Sequence, residues 1–214
     1  MDIHRAAIVT LLLAVVPATG TAQTVTVSKH SNPAPDELAA PIKELLSPSG
    51  ATAKMVDNTL DFWWVKSLPS KDAGEGWSGV PEGTLMGAMR VAMPLRDIRG
   101  RAVKPGVYVL RYALQPQNGD HLGVSPYREF LLVAPAAEDT SPGPLGHDPA
   151  VELAAKTTGI AHPAVLSIDP PVAQEAALAV RQNEAGHTAV VFEVPTSTGK
   201  TLKFGLVLVG HIEA

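Results

Sequence analysis

The chain has 214 residues, 45% of them apolar and 18% charged, with a formal net charge of −4 and both signs spread along its length. Those values describe a globular chain with a real core and exclude disorder over most of its length. The absence of any basic block argues against a nucleic-acid partner, and the absence of cysteine excludes both a disulfide framework and a lipobox.

Residues 1–22, MDIHRAAIVTLLLAVVPATGTA, have the layout of a secretory signal peptide. Arg5 supplies a positive start, Ala6 to Val16 form an apolar run too short to span a membrane, and Pro17 and small residues lead to a cut after Ala22. The expectation is an exported protein, periplasmic or extracellular, with no membrane span once the signal is removed. A retained amino-terminal anchor is the alternative. Residues 23–50 read as a lead-in: a short alternating strand over 23–29, a Pro/Ala linker, and a short helix over 36–46. Leu38, Ile42 and Leu45 lie on one side of that helix, and Pro41 inside it predicts a kink or a late start.

From residue 51 the apolar period becomes two, as half-buried strands require. ATAKMVD and TLDFWWVKSL read as consecutive strands, and residues 67–83 as a long loop carrying Trp77. TLMGAMRVAM is a strand, DIRGRAVKPG a turn region, and GVYVLRYAL a strand with Tyr108, Leu110, Tyr112 and Leu114 on one face. After the loop LQPQNGDHLGVSP comes YREFLLVA, apolar enough for a strand buried on both faces. AAEDTSPGPLGHDP is a loop by composition. DPAVELAAKTTG then predicts a short helix with Asp148 as N-cap, Pro149 at the first helical position, Glu152 in the first turn and Gly159 just past the end. PAVLSI and a closing meander over ALAVRQN, HTAVVFEV and TLKFGLVLVGHI complete the chain, with VAQEAALAV open to a helical reading. The sum, roughly eight to ten short strands, predicts a mainly β fold. Its form is an antiparallel β-sandwich over 51–214, with one or two short peripheral helices and a loop/helix insertion near 136–162.

The stretch GTLMGAMRVAMPLRDIRGRAVKPGVYVLRYAL, with Gly100, Pro105, Gly106 and Tyr108, and the later Gly199, Leu202 and Phe204 resemble a recurring pattern. It is similar to that of uncharacterised exported bacterial proteins of a domain-of-unknown-function type, in which a Pro/Ala-Gly-x-Tyr turn enters a central sandwich strand. The resemblance implies a β-sandwich and no particular activity.

The densest polar cluster lies in the loop after the GVYVLRYAL strand. Asp120 and His121 offer a carboxylate and an imidazole, which suit zinc, iron or copper, and His147, His162, His187 or His211 would have to converge to complete a site. The competing reading makes Asn118-Gly119 a tight turn and Asp120 and His121 its local polar residues. Between these stands a binding mouth: Asp120, His121, Ser125, Tyr127 and Arg128 lining one end of the sandwich. Arg111 and Arg128 flank the loop and are either anion anchors or members of cross-strand ion pairs. Trp63 and Trp64 point to opposite faces of a strand, so one is exposed unless the amino-terminal segment or the 67–83 loop covers it. Met86, Met89 and Met93 do not share a face and read as core filling. No G-x-S-x-G elbow, H-E-x-x-H or glycine-rich phosphate loop occurs.

The expected function is therefore a non-catalytic exported binding or accessory module, for a small molecule, a carbohydrate or an envelope protein, with no cofactor indicated. The alternative is a metal-dependent enzyme or sensor built on His121 and Asp120.

Overall fold

Strands with apolar residues on both faces need cover on both sides, and this chain provides it by bending one sheet over itself and strapping further chain across the outside. A computed structural model describes residues 24–71, 76–116, 127–170 and 174–211. Its elements begin with β1 (Thr26–His30), α1 (Ala40–Leu45), β2 (Gly50–Lys54), β3 (Thr59–Trp64) and β4 (Leu85–Val91). A small hairpin, β5 (Leu95–Arg96) and β6 (Ala102–Val103), precedes the long strands β7 (Gly106–Leu114) and β8 (Glu129–Pro135). Then come α2 (His147–Thr158), β9 (Val165–Asp169), β10 (Val180–Gln182), β11 (Thr188–Pro195) and β12 (Thr201–Val209). Ten strands form one sheet in the order β1-β2-β3-β4-β7-β8-β9-β12-β11-β10, every neighbouring pair antiparallel.

The predicted mainly β, antiparallel class is what the chain adopts, as a single sheet curled into a nearly barrel-like shape. Aromatic side chains drive the closure. Phe62 and Trp64 on β3 meet Phe192 on β11 at ring separations of 5.2 and 4.9 Å, and Trp64 meets Phe204 on β12 edge-on at 5.3 Å. Strands far apart in the sheet order thus share one inner core, each aromatic pair adding about 0.5–1.5 kcal/mol beyond the area it buries. Beyond β3 the chain reaches the end of β11, where Leu68 accepts a hydrogen bond from Ser197 N–H at 2.9 Å and donates one to the carbonyl of Pro195 at 2.7 Å.

Both Trp63 and Trp64 are buried. The lead-in, not the 67–83 loop, covers Trp63: its indole N–H donates to the carbonyl of Asn32 at 2.9 Å, and the His30 ring meets it at 5.0 Å. Trp77 instead enters the inner core, stacked on Tyr112 at 4.6 Å. Met86 and Met89 fill core as expected, whereas Met93 is exposed. α1 starts late, at Ala40 with Pro41 in its first turn, because proline lacks the N–H that an interior position needs.

The outer face of the sheet is a second core. Ala113, Leu132, Val165, Ala189 and Val207 pack there with Ala150 and Ala154 of α2. Asp148 does not cap α2. Gly146 does, at φ 76°, and Asp148 falls in the first turn. A Cβ on Gly83 would lie 2.5 Å from the Gly146 backbone, so the missing side chain of Gly83 lets its turn touch the start of α2, while Gly146 supplies the left-handed backbone there. Gly159 ends the helix in the left-handed region, as predicted.

Segment 136–146 leads into this helix, and Arg111 pins it. Arg111 is fully buried on the outer face of β7 and spends all five N–H donors within the chain. Nε and Nη2 bond the two carboxylate oxygens of buried Asp139 at 2.6 and 2.7 Å. Nη1 donates to the carbonyls of Gly83 and Gly143, and Nη2 also to that of Ser141. Asp139→Ala, which leaves this guanidinium buried without its counter-charge, is expected to cost about 3–5 kcal/mol of stability in urea unfolding. Arg111→Lys will not restore the wild-type midpoint, because an ammonium brings three donors to five waiting acceptors.

Candidate functional site

Asp120, His121 and Ser125, and with them the His121–Asp120 metal pair, lie outside the described residues. Tyr127 and Arg128 enter β8 at the protein surface. Arg128 braces the strand end: its Nε donates to the carbonyl of Gln115 at 3.2 Å, and its own carbonyl accepts the Gln115 N–H at 2.7 Å. Arg111, expected as an anion anchor or a surface ion pair, is neither. It is the saturated buried clamp just described, with no donor left for a ligand.

The other histidines fall in separate places. His30 packs on Trp63, and His187 Nε2 lies 3.2 Å from the His211 carbonyl oxygen. His147 and His162 do share a site, but no three His, Asp or Glu side chains form a group able to hold a metal ion among the described residues.

That shared site is a cavity of about 280 Å³ on the outer side of the sheet, beside α2. Ile98 of the β5–β6 turn, Phe130 of β8, Val151 of α2 and Val165 of β9 give it apolar walls. Register puts Phe130 opposite Ser167 and Leu132 opposite Val165, so the outward row of β8 and β9 forms its floor. Gln115, Ser167, Arg99, Glu129, His147 and His162 add the polar groups. Tyr127 lines it too, and also lines a wider opening at the inner end of the sheet with Trp77 and Leu202.

Three local devices hold the walls. Buried Asp97 turns the β5–β6 corner: its Oδ1 accepts the N–H groups of Arg99 and Arg101, and its Oδ2 accepts that of Val165. Arg101 donates to the carbonyl of Pro163 at 3.0 Å, tying the corner to the rim after α2. Glu82 Oε2 accepts the Leu114 N–H at 3.1 Å and lies 2.6 Å from His147 Nδ1, which orients the imidazole at the first position of α2.

Arg99, Glu82, Gln115 and Phe130 were not singled out by sequence reasoning. Asp97 and Gly100 mark a turn, but nothing in their pattern says that the turn folds onto β9.

Nearby, burial raises the Tyr112 phenol well above its ordinary value of 10.0, with the Glu129 and Glu82 charges adding to the effect and Arg128 opposing it. No family model, no curated protein and no solved structure matches the chain.

A phenol held neutral in the folded state stabilises it fully below the unfolded value, near pH 10. The contribution drains away as pH rises from there toward the folded-state value. Chemical unfolding between about pH 9 and 12 should therefore show a steep alkaline loss of stability that is shallower in Tyr112→Phe. An unchanged slope in that variant would remove Tyr112 as its source.

Proposed function

We propose that this chain is an exported, non-catalytic binding module that takes a small molecule with an apolar body into the cavity beside α2. The cavity carries the reading. Apolar walls with a few convergent polar side chains, supported by ordered strands and a helix, are the usual make-up of a small-molecule site. Its supports are specific: the Asp97 corner, the Arg101–Pro163 tie and the Glu82–His147 pair hold three walls in fixed relation. A sugar-binding reading has less support. Trp63 and Trp64 are buried, and Trp77 has one face stacked on Tyr112, so the platforms that would stack on a sugar ring are engaged within the protein.

Export rests on the arrangement of Arg5, the Ala6–Val16 apolar run, Pro17 and the small residues up to Ala22. The likeness to exported β-sandwich proteins rests on the Pro105-Gly106-x-Tyr108 turn. Among the described residues no helix is long and apolar enough to cross a membrane.

The neutral environment-sensitive dye N-phenyl-1-naphthylamine tests the reading. It is expected to bind the protein at one site with enhanced, blue-shifted emission. Val151→Phe, which fills the space from the α2 side, should weaken that binding by about tenfold or more, a loss of ~1.4 kcal/mol. The thermal midpoint of the variant shows that it is folded. Absence of dye binding, or binding indifferent to Val151→Phe in a folded variant, would discard the cavity as the site.

A further inference from the structure

We infer that the cavity beside α2 selects a monoanion, a carboxylate carried on an apolar body, and that Arg99 is its anchor. The inference rests on the cavity reading above and adds the chemistry of the ligand.

The other described arginines all have partners within the chain. Arg90 forms a two-pronged pair with Glu37, and Arg96 donates to the Gly100 carbonyl. Arg101 donates to Pro163, Arg128 to Gln115, and Arg181 to Pro170, each at a carbonyl. Arg111 is saturated. Arg99 alone among the described arginines has a guanidinium with no hydrogen bond or ion pair, and it lines the apolar cavity. An exposed arginine can do without a protein partner because water serves. Arg99 is partly buried, and that burial, together with the neighbouring Arg101 charge, depresses its affinity for its proton, with Asp97 opposing.

Asp97 is the obvious carboxylate for Arg99, and it is already engaged. Its two oxygens accept three backbone N–H groups, from Arg99, Arg101 and Val165. The fold thus uses the nearest acid to build the corner and leaves the side chain raised on that corner without a counter-charge. A guanidinium presents a planar fork that matches a carboxylate in two places. With Ile98, Phe130, Val151 and Val165 around it, the arrangement suits a ligand with one anionic end and an apolar remainder.

The remaining charged groups narrow the class. The one guanidinium matches one negative charge, and Glu129, next to Phe130 in β8, turns to the inner face, where its charge acts on Tyr112. His147 has Nδ1 committed to Glu82, so its Nε2 is the nitrogen available to a ligand oxygen. His162, on the rim after α2, and Tyr127 also line the cavity.

The test compares 2-naphthoate with 2-naphthalenemethanol, a neutral probe of similar size, by titration calorimetry on the mature chain. The wild type is expected to bind naphthoate at least about tenfold more tightly than the alcohol. Arg99→Gln should erase that preference while retaining the alcohol. Lys104→Gln removes a nearby positive charge from an exposed side chain that lines no wall of the cavity and should leave the preference intact. Equal binding of the two probes by the wild type, or a preference that survives Arg99→Gln, overturns the anion anchor and leaves the cavity reading standing. Binding of neither probe takes both down. A preference lost equally in Lys104→Gln and Arg99→Gln would mark a diffuse field, and the anchor would be withdrawn.

Discussion

Everything on the outer side of the sheet depends on one buried ion pair. Arg111 and Asp139 are both fully buried, and two charges so placed carry a desolvation cost of several kcal/mol per ion. The five hydrogen bonds of the guanidinium offset it. They do so only because three separate pieces of chain arrive together: Asp139 with its strap through Ser141 and Gly143, the turn at Gly83, and β7 itself. The pair is weak as a source of net stability and strong as a specifier of geometry. Any other path for the 136–146 segment would leave a charge buried alone.

The position of α2 follows from that clamp. The strap runs directly to Gly146, and Gly146 lies against Gly83, whose carbonyl the same arginine holds. With the start of the helix fixed, His147 meets Glu82, and Ala150 and Ala154 settle on the small outer row of the sheet. Alanine is the residue type that allows such close approach. The cavity lies beside this contact, where Val151, Phe130 and the 161–163 rim replace the alanines. Inner and outer cores are thus built by different means. Aromatic rings from β3, β11 and β12 close the inside, while small side chains and a polar clamp fasten the outside.

Much of the fold was legible in the sequence because strands with period-two patterns declare themselves. The inner face of β7, with Tyr108, Leu110 and Tyr112, and the closing meander are examples. Less legible was anything decided by contacts distant in the chain. Period two places Arg111 on the face opposite Tyr112 but does not reveal that Asp139 and three carbonyls will surround it. Asp148 follows the usual rule for an N-cap, yet the cap stands at Gly146, where the Gly83 turn touches the start of α2. The candidate site suffered most. Asp120, His121 and Ser125 of the conspicuous polar loop lie outside the described residues, and the described cavity wall is assembled two or three residues at a time from six elements or turns, each ordinary in its local context. Of the site residues named from the sequence, Tyr127, His147 and His162 line it.

The unusual feature of the cavity is what the fold leaves undone around it. Elsewhere the chain pairs its partly buried charges closely: Arg181 lies within ion-pair distance of both Asp169 and Glu175, and Lys203 pairs with Glu193. Stability alone would favour the same treatment of Arg99, and a neutral side chain on that corner would avoid the cost of its partial burial. The backbone of the β5–β6 turn does not need the guanidinium, since Asp97 makes the turn through main-chain N–H groups. A cation that the turn does not require, partly withdrawn from water beside apolar walls, is a departure from local consistency of the kind that marks sites rather than scaffolds. Scaffold and ligand site therefore meet at one corner. Asp97 serves the fold, and its commitment is what leaves Arg99 to serve something else.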